Sequence, residues 1–204
     1  MSESILKRII GLTGGIGTGK TTVSNYFADT YQLPILDADI YAREAVQPGS
    51  PILNRIITRY GSDVQLPDGT LNRKRLGEIV FPNPGERQWL EQQIHPYVRD
   101  RIKSQLNTSE SPTVVLVIPL LFEANMTDLV TEIWVVSCPQ EQQIQRIRER
   151  DRLSVEQAQS RLDSQLPLAE KVARADVVLD NSYTRDSLLQ QVDRALGHYT
   201  NTYT

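Results

Sequence analysis

The chain of 204 residues has a single cysteine, Cys138, so it forms no internal disulfide, and one thiol alone builds no metal site. A long hydrophobic run is missing as well. The longest apolar stretch, Val114 to Phe122, is interrupted by Pro119 and falls far short of the roughly 18 residues that cross a bilayer. Ser2, Glu3, Lys7 and Arg8 break up the apolar residues at the N-terminus, leaving no signal-peptide core, and a cytoplasmic location is expected. There is no basic surplus. With 22 basic and 25 acidic residues the net charge is -3, which argues against a general nucleic-acid-binding surface and requires any anionic ligand to be held by local charge. Internal repeats and low-complexity segments are absent too, which removes solenoid and linker readings. With 39% apolar residues a packed core is available, and the length suits one domain or one domain with an insertion.

Short β-branched runs recur along the chain. Arg8 to Leu12, Leu33 to Leu36, Thr113 to Ile118, Glu132 to Ser137 and Val177 to Leu179 read as five strands, and most of what separates them is helix-patterned. That order predicts an α/β fold with a five-stranded parallel sheet wrapped by helices in three layers. A helix is expected from Lys20 to about Tyr31. The segment from Asp39 to Ser111 carries no strong strand signal and reads as a helical insertion. Within it Ile52, Leu53, Ile56, Ile57 and Tyr60 recur at helix spacing, Asn72 and Asn83 stand at expected helix N-caps, and Pro96 predicts a kink or break between Glu86 and Leu106. Ser154 with Gln157 has the spacing of a capping box, so a helix should begin after Leu153 and leave Asp151 to Leu153 as a turn. The resulting single domain has a core of about 1–39, 112–139 and 174–204, an insertion of about 40–111 and a lid of about 140–173.

Gly14 to Thr21 (GGIGTGKT) satisfies G-x-x-x-x-G-K-T/S, directly after a strand and directly before a helix, the context this motif requires. Glycines let such a loop turn its amides inward around phosphate. Gly14, Gly15, Ile16, Gly17, Thr18, Gly19, Lys20, Thr21 and the following Thr22 are therefore expected around ATP. Lys20 should reach its β- and γ-phosphates, and the Thr21 hydroxyl should ligate Mg²⁺. Gly15, Gly17 and Gly19 alternate, so no G-x-G-x-x-G passes through them and a dinucleotide fingerprint is rejected. Neither N-K-x-D nor D-x-x-G occurs, which disfavours a switch GTPase. The third strand ends at Ile118 and Pro119 instead of a carboxylate, with Glu123 the nearest acid, so the metal-binding acid of motor ATPases is not in its usual place.

Two carboxylates, Asp37 and Asp39, stand at the end of the second strand instead. Parallel strands end on one side of the sheet, which predicts them on the same edge as the loop. The pair is expected to point in opposite directions, so that at most one carboxylate faces the reacting phosphate until the chain turns into helix, as the base a phosphotransferase needs. A helix N-cap at Asp39 is the structural alternative. Arg146, Arg148, Arg150 and Arg152 lie close together, with Arg146 and Arg150 on one helix face. Beside a phosphate loop, Arg146 and Arg150 read as lid residues that fork onto phosphate oxygens; Arg148 and Arg152 fit a solvated face.

Several separated blocks, from Ile9 to about Asn181, resemble the dephospho-coenzyme A kinase family. They are GLTGGIGTGKTTV (Gly11 to Val23), DADIYAR (Asp37 to Arg43), Ile94, His95 and Pro96 with Arg99, and PLLFE (Pro119 to Glu123). Arg150 to Ser154 with Arg161, Ser164 and Gln165 resembles its lid, and Ala175, Asp176 and Asn181 its last strand. The resemblance implies a P-loop kinase with a nucleotide-binding core, a helical domain for the acceptor and a lid. The reaction implied is Mg²⁺- and ATP-dependent phosphorylation of the ribose 3′-hydroxyl of dephospho-CoA, the last step of coenzyme A synthesis. It implies Asp39 as the base, with Asp37, Arg43, His95, Arg99 and Glu123 on the acceptor side and Lys20, Arg146 and Arg150 serving catalysis. Its partners are the two small molecules, with neither nucleic acid nor membrane, and the chain is expected to be a monomer or a weak homo-oligomer. The rivals are a nucleoside or nucleotide kinase on the same core, opposed by the IHP and PLLFE blocks, and a regulatory nucleotide-binding module, opposed by the paired carboxylates. Tyr183 departs from the family's glycine two residues after Asn181.

Overall fold

The computed structural model describes residues 7–200; Ser2 and Glu3, invoked above against a signal peptide, lie outside them. Strand β1 (Arg8–Gly14) leads to α1 (Lys20–Tyr31) and β2 (Ile35–Asp37), followed by α2 (Ala38–Glu44), α3 (Pro51–Tyr60), α4 (Arg73–Val80) and α5 (Pro84–Thr108). The chain returns through β3 (Thr113–Val117) and β4 (Glu132–Ser137), then α6 (Gln140–Asp151), α7 (Val155–Asp163), α8 (Leu168–Val172), β5 (Val177–Asp180) and α9 (Arg185–Thr200). The five strands form one parallel sheet in the order β2-β3-β1-β4-β5. The predicted α/β class is therefore the observed one, with strand ends displaced by one or two residues. β2 is an edge strand, and β3 lies between it and β1.

The chain divides into two compact units, one of Met1–Leu36 with Ser109–Thr204 and one of Asp37–Thr108. In the first, the central strand β1 is covered on both faces, as a parallel sheet requires. Ile10, Leu12, Val115, Trp134 and Leu179 pack with Val23 and Phe27 of α1 and Leu188 and Val192 of α9. Phe27 and Trp134 meet at 5.5 Å between ring centroids. The Trp134 indole N–H has its partner inside this core, donating to Glu132 at 3.0 Å, and Glu132 in turn pairs with Arg8.

The second unit has its own core, in which Ile52, Leu53 and Ile56 of α3 pack with Val64, Leu76 and Val80. Each such side chain contributes on the order of 1.5–3 kcal/mol by leaving water. Its helix starts are specified by sequence. Ser50 accepts from the Leu53 amide and Asn72 from the Arg75 amide, both as N-caps. Asn83 immediately precedes α5, its side-chain amide donates to the Ile79 carbonyl at 2.8 Å, and Pro84 opens the helix at its first position. The expected break at Pro96 is absent, and α5 runs unbroken through it. Proline withdraws one amide and crowds the preceding turn, but the helix goes on to bury Val98 and Ile102, which hold the following turns in place. The capping box at Ser154 and Gln157 is formed; the turn before it is Arg152 to Ser154, since α6 extends through Asp151 and Arg152 closes it at φ 55°.

Candidate functional site

β1 is buried from Ile10 to its end at Gly14, where the chain must reverse into α1. Gly14 has φ 144°, and a Cβ there would lie 2.3 Å from the Val136 carbonyl of the neighbouring strand, so only glycine fits. Gly19 has φ 104°, and its Cβ would meet the Asn181 Nδ2 at the same separation, 2.3 Å. Between them the buried Thr18 folds its hydroxyl back onto the Gly15 carbonyl at 2.9 Å. Lys20 lays its ammonium across the loop, donating to the Gly14 and Gly15 carbonyls at 3.1 and 2.8 Å. Thr21 is exposed in the first turn of α1 and Thr22 is half-buried. A loop of glycine-borne amides, an ammonium and a helix N-terminus is an anion cradle, and it fits the polyphosphate of a nucleotide.

The elements around the loop hold it in shape. Arg146 donates to the Gly17 carbonyl at 3.3 Å and to the Asn181 carbonyl at 3.1 Å, and is steadied by Gln142 at 3.0 Å. The Asn181 side chain donates to the Thr18 carbonyl at 2.8 Å. Gln165 accepts from the Ile16 amide at 3.0 Å. Arg150, on the same helix as Arg146, is exposed and paired through two of its nitrogens with Asp151, at 2.8 and 2.9 Å; Asp151 also pairs with Arg161. These two arginines hold that carboxyl below its ordinary range, Arg150 chiefly. Thus Arg146 reaches the loop in this structure and Arg150 does not. Tyr183 is 76% exposed, so the departure from glycine places a ring in solvent.

Glu123 accepts from Lys171 at 2.8 Å and from the Leu166 amide at 2.9 Å. Lys171 is fully buried, and it also donates to the Pro119 carbonyl at 3.1 Å, which takes the Thr13 hydroxyl as well, at 3.2 Å. Sequence reasoning missed Lys171 because one lysine in a polar, helix-patterned stretch looks solvated. Lys171→Met is expected to destabilise the fold by about 2–4 kcal/mol, since it strands the Glu123 carboxylate in a partly buried place; the lower end reflects the exposure that Glu123 retains. Thermal and denaturant unfolding measure this, and an unchanged midpoint would show the pair to be dispensable.

In the second unit Asp37, not Asp39, is the N-cap of α2, accepting from the Asp39 amide at 2.8 Å. Helix begins at Ala38, so strand alternation does not govern the pair. Asp39 lies exposed in the first turn of α2 and Arg43 exposed in its last. The helix packs against α5, with Arg101 reaching Glu44 at 3.3 Å and covering the Tyr41 ring. His95 and Arg99 are one turn apart on α5, both half-buried, and burial pushes the His95 imidazole below its ordinary pKa against the opposing pull of Glu91. Among the described residues no group of three or more His, Cys, Asp or Glu is placed to hold a metal ion. Mg²⁺ in a phosphoryl-transfer site needs no such cage, since it keeps waters and takes substrate phosphates with one or two protein ligands, and the exposed Thr21 hydroxyl suits that donor set.

The sequence profile of the dephospho-CoA kinase family matches residues 8–186. The chain belongs to that family. Curated dephospho-CoA kinases from Trichormus variabilis and Nostoc sp. are 64% and 63% identical to it over 191 residues, covering 94% of this chain and 97% of each relative. Among solved structures, the dephospho-CoA kinase from Campylobacter jejuni is similar at TM-score 0.71 and 28% identity, covering 97% of this chain and all 100% of its own. TT1252 from Thermus thermophilus is similar at TM-score 0.80 and 32% identity, over 94% of this chain and 97% of its own. Shikimate kinase from Acinetobacter baumannii, at 16% identity and TM-score 0.55, shares the fold. The chain is a P-loop kinase of the dephospho-CoA kinase family, and no described helix is long and apolar enough to cross a membrane.

Proposed function

We propose that this kinase transfers the γ-phosphoryl group of ATP to the ribose 3′-hydroxyl of dephospho-CoA, giving ADP and coenzyme A. The observation that carries this reading is the family match across residues 8–186, on a chain whose Gly14 to Lys20 loop is shaped to hold phosphate. The acceptor oxygen attacks the γ-phosphorus, the bond to the β–γ bridging oxygen breaks, and ADP carries away that electron pair. Asp39 takes the hydroxyl proton, Asp37 holds the start of α2, and Arg43, His95 and Arg99 face the acceptor. Lys20 and the loop amides hold the β- and γ-phosphates. Thr21 would hold Mg²⁺, which would offset the charge of the phosphate oxygens. Glu123 acts on the acceptor side only through the segment it anchors.

Arg146 shapes the loop through the Gly17 carbonyl, whereas Arg150 must exchange Asp151 for a phosphoryl oxygen. A hydrogen bond to a charged group contributes about 1.5–3 kcal/mol, so Arg150→Ala is expected to lower kcat by about 10- to 100-fold with ATP affinity little changed. An unchanged kcat would assign Arg150 to the solvated helix face. The reaction itself is tested by incubating the chain with ATP, Mg²⁺ and dephospho-CoA, beside a panel of nucleosides and nucleotides. Equimolar ADP and coenzyme A are expected. Phosphorylation of a nucleoside in their place, or ATP binding without transfer to any acceptor, would overturn the proposal.

A further inference from the structure

One amide of the phosphate loop already has a partner from within the chain: the Gln165 carboxamide oxygen takes the Ile16 N–H at 3.0 Å. Gln165 follows α7, and its neighbour Leu166 is tethered, its amide held by Glu123 at 2.9 Å. Glu123 is in turn fixed by the buried Lys171, which is bonded to Pro119 just beyond β3. Gln165 is therefore presented to the loop by a rigid anchor. The inner side of the loop is equally occupied: the buried Gln143 oxygen lies where a Gly15 Cβ would meet it at 2.6 Å and has no hydrogen-bond partner. Gln165 thus holds the loop at Ile16, and Gln143 packs against it at Gly15.

We infer that Gln165 is a stand-in for a phosphate oxygen, occupying the Ile16 amide until the nucleotide displaces it, and thereby linking occupancy of the loop to release of the α7–α8 connection. A phosphate oxygen carries charge, and a charge-assisted hydrogen bond is roughly twice as strong as one to a neutral amide, so the exchange favours the nucleotide. Lys20 adds to the preference, because its ammonium lies across the same loop and is attracted more strongly to a charged phosphate than to a neutral carboxamide. After the exchange Leu166 stays on Glu123, so the connection pivots about that tether while its tip comes free. Gln165 is a positioning residue in this scheme; it touches the loop, not the reacting atoms.

The test is nucleotide affinity in the full chain without acceptor, measured by calorimetry with ADP and with a non-hydrolysable ATP analogue. It needs no phosphoryl transfer, so its failure leaves the proposed reaction standing, and failure of that reaction leaves the inference standing. Gln165→Met keeps the length of the side chain and removes the oxygen; with the competitor gone, nucleotide should bind about 3- to 10-fold more tightly. Gln165→Glu puts a negative charge where the phosphate must enter, and binding should weaken about tenfold or more. Opposite shifts in the two variants separate displacement from simple support, which would weaken binding in both. Unchanged or weaker binding by a folded Gln165→Met variant would overturn the inference, and so would tighter or unaltered binding by Gln165→Glu.

Discussion

Lys20→Ala is expected to lower kcat about 10³-fold or more while leaving the unfolding transition almost where it was. The Lys20 ammonium rests on two carbonyls of its own loop, Gly14 and Gly15, which orient it without burying it. Losing those contacts uncovers carbonyls that water can reach, so the fold loses little. Catalysis loses more. Charge on the transferring phosphoryl group is spread over its oxygens, and a fixed ammonium lowers the transition state without solvent having to reorganise. A 10³-fold loss corresponds to about 4 kcal/mol of transition-state stabilisation. Steady-state kinetics with thermal unfolding on the same preparation checks both halves, and a folded Lys20→Ala enzyme with wild-type turnover would remove Lys20 from the mechanism.

Asp39→Asn is expected to cut kcat by roughly 10²–10⁴-fold, the range for loss of a general base, with nucleotide affinity nearly unchanged. The neighbouring carboxylate supplies the control. Asp37 is bound to the Asp39 amide as the cap of α2, and asparagine caps a helix about as well as aspartate. Asp37→Asn should therefore leave stability close to wild type and act on turnover far less than Asp39→Asn. The measurement is kcat and ATP affinity for both variants. A reversed ranking would transfer the base to Asp37, and two near-normal enzymes would show that neither carboxylate takes the proton.

The phosphate loop was fully legible because its residue types answer to backbone requirements: Gly14 and Gly19 occupy conformations and clearances that no other residue meets. The strands were legible from β-branched runs, and α3 from its apolar spacing; its Ser50 cap was not read from the sequence. The geometry of the paired aspartates was not legible: the pair reads as extended, with a cap at Asp39 as the alternative, whereas Asp37 caps a helix that begins at Ala38, so one residue decides where strand alternation gives way to helix. Pro96 does not end α5, because the local cost of a proline is offset where the later turns of the helix are anchored by tertiary packing. The pairings of some side chains around the loop were hidden for another reason. Lys171, Gln143 and Gln165 act through partners distant in sequence, Lys171 with Glu123 and Gln165 with Ile16, and no spacing or periodicity encodes such a pair.

The sheet's register bears on how the chain comes to be folded. β1 lies between β3 and β4, and Arg8 pairs with Thr113 while Ile10 pairs with Glu132, so every ladder of the central strand joins residues more than a hundred positions apart. Pairings of that span close large loops before they gain any contact, which slows folding. During synthesis β1 leaves the ribosome with no strand to bond and must wait for both neighbours. Residues 37–108, by contrast, form a contiguous unit with its own apolar cluster, complete before β3 is made. The helical insertion therefore has its material first, and the nucleotide-binding sheet, though it begins at the N-terminus, closes late in the life of the nascent chain.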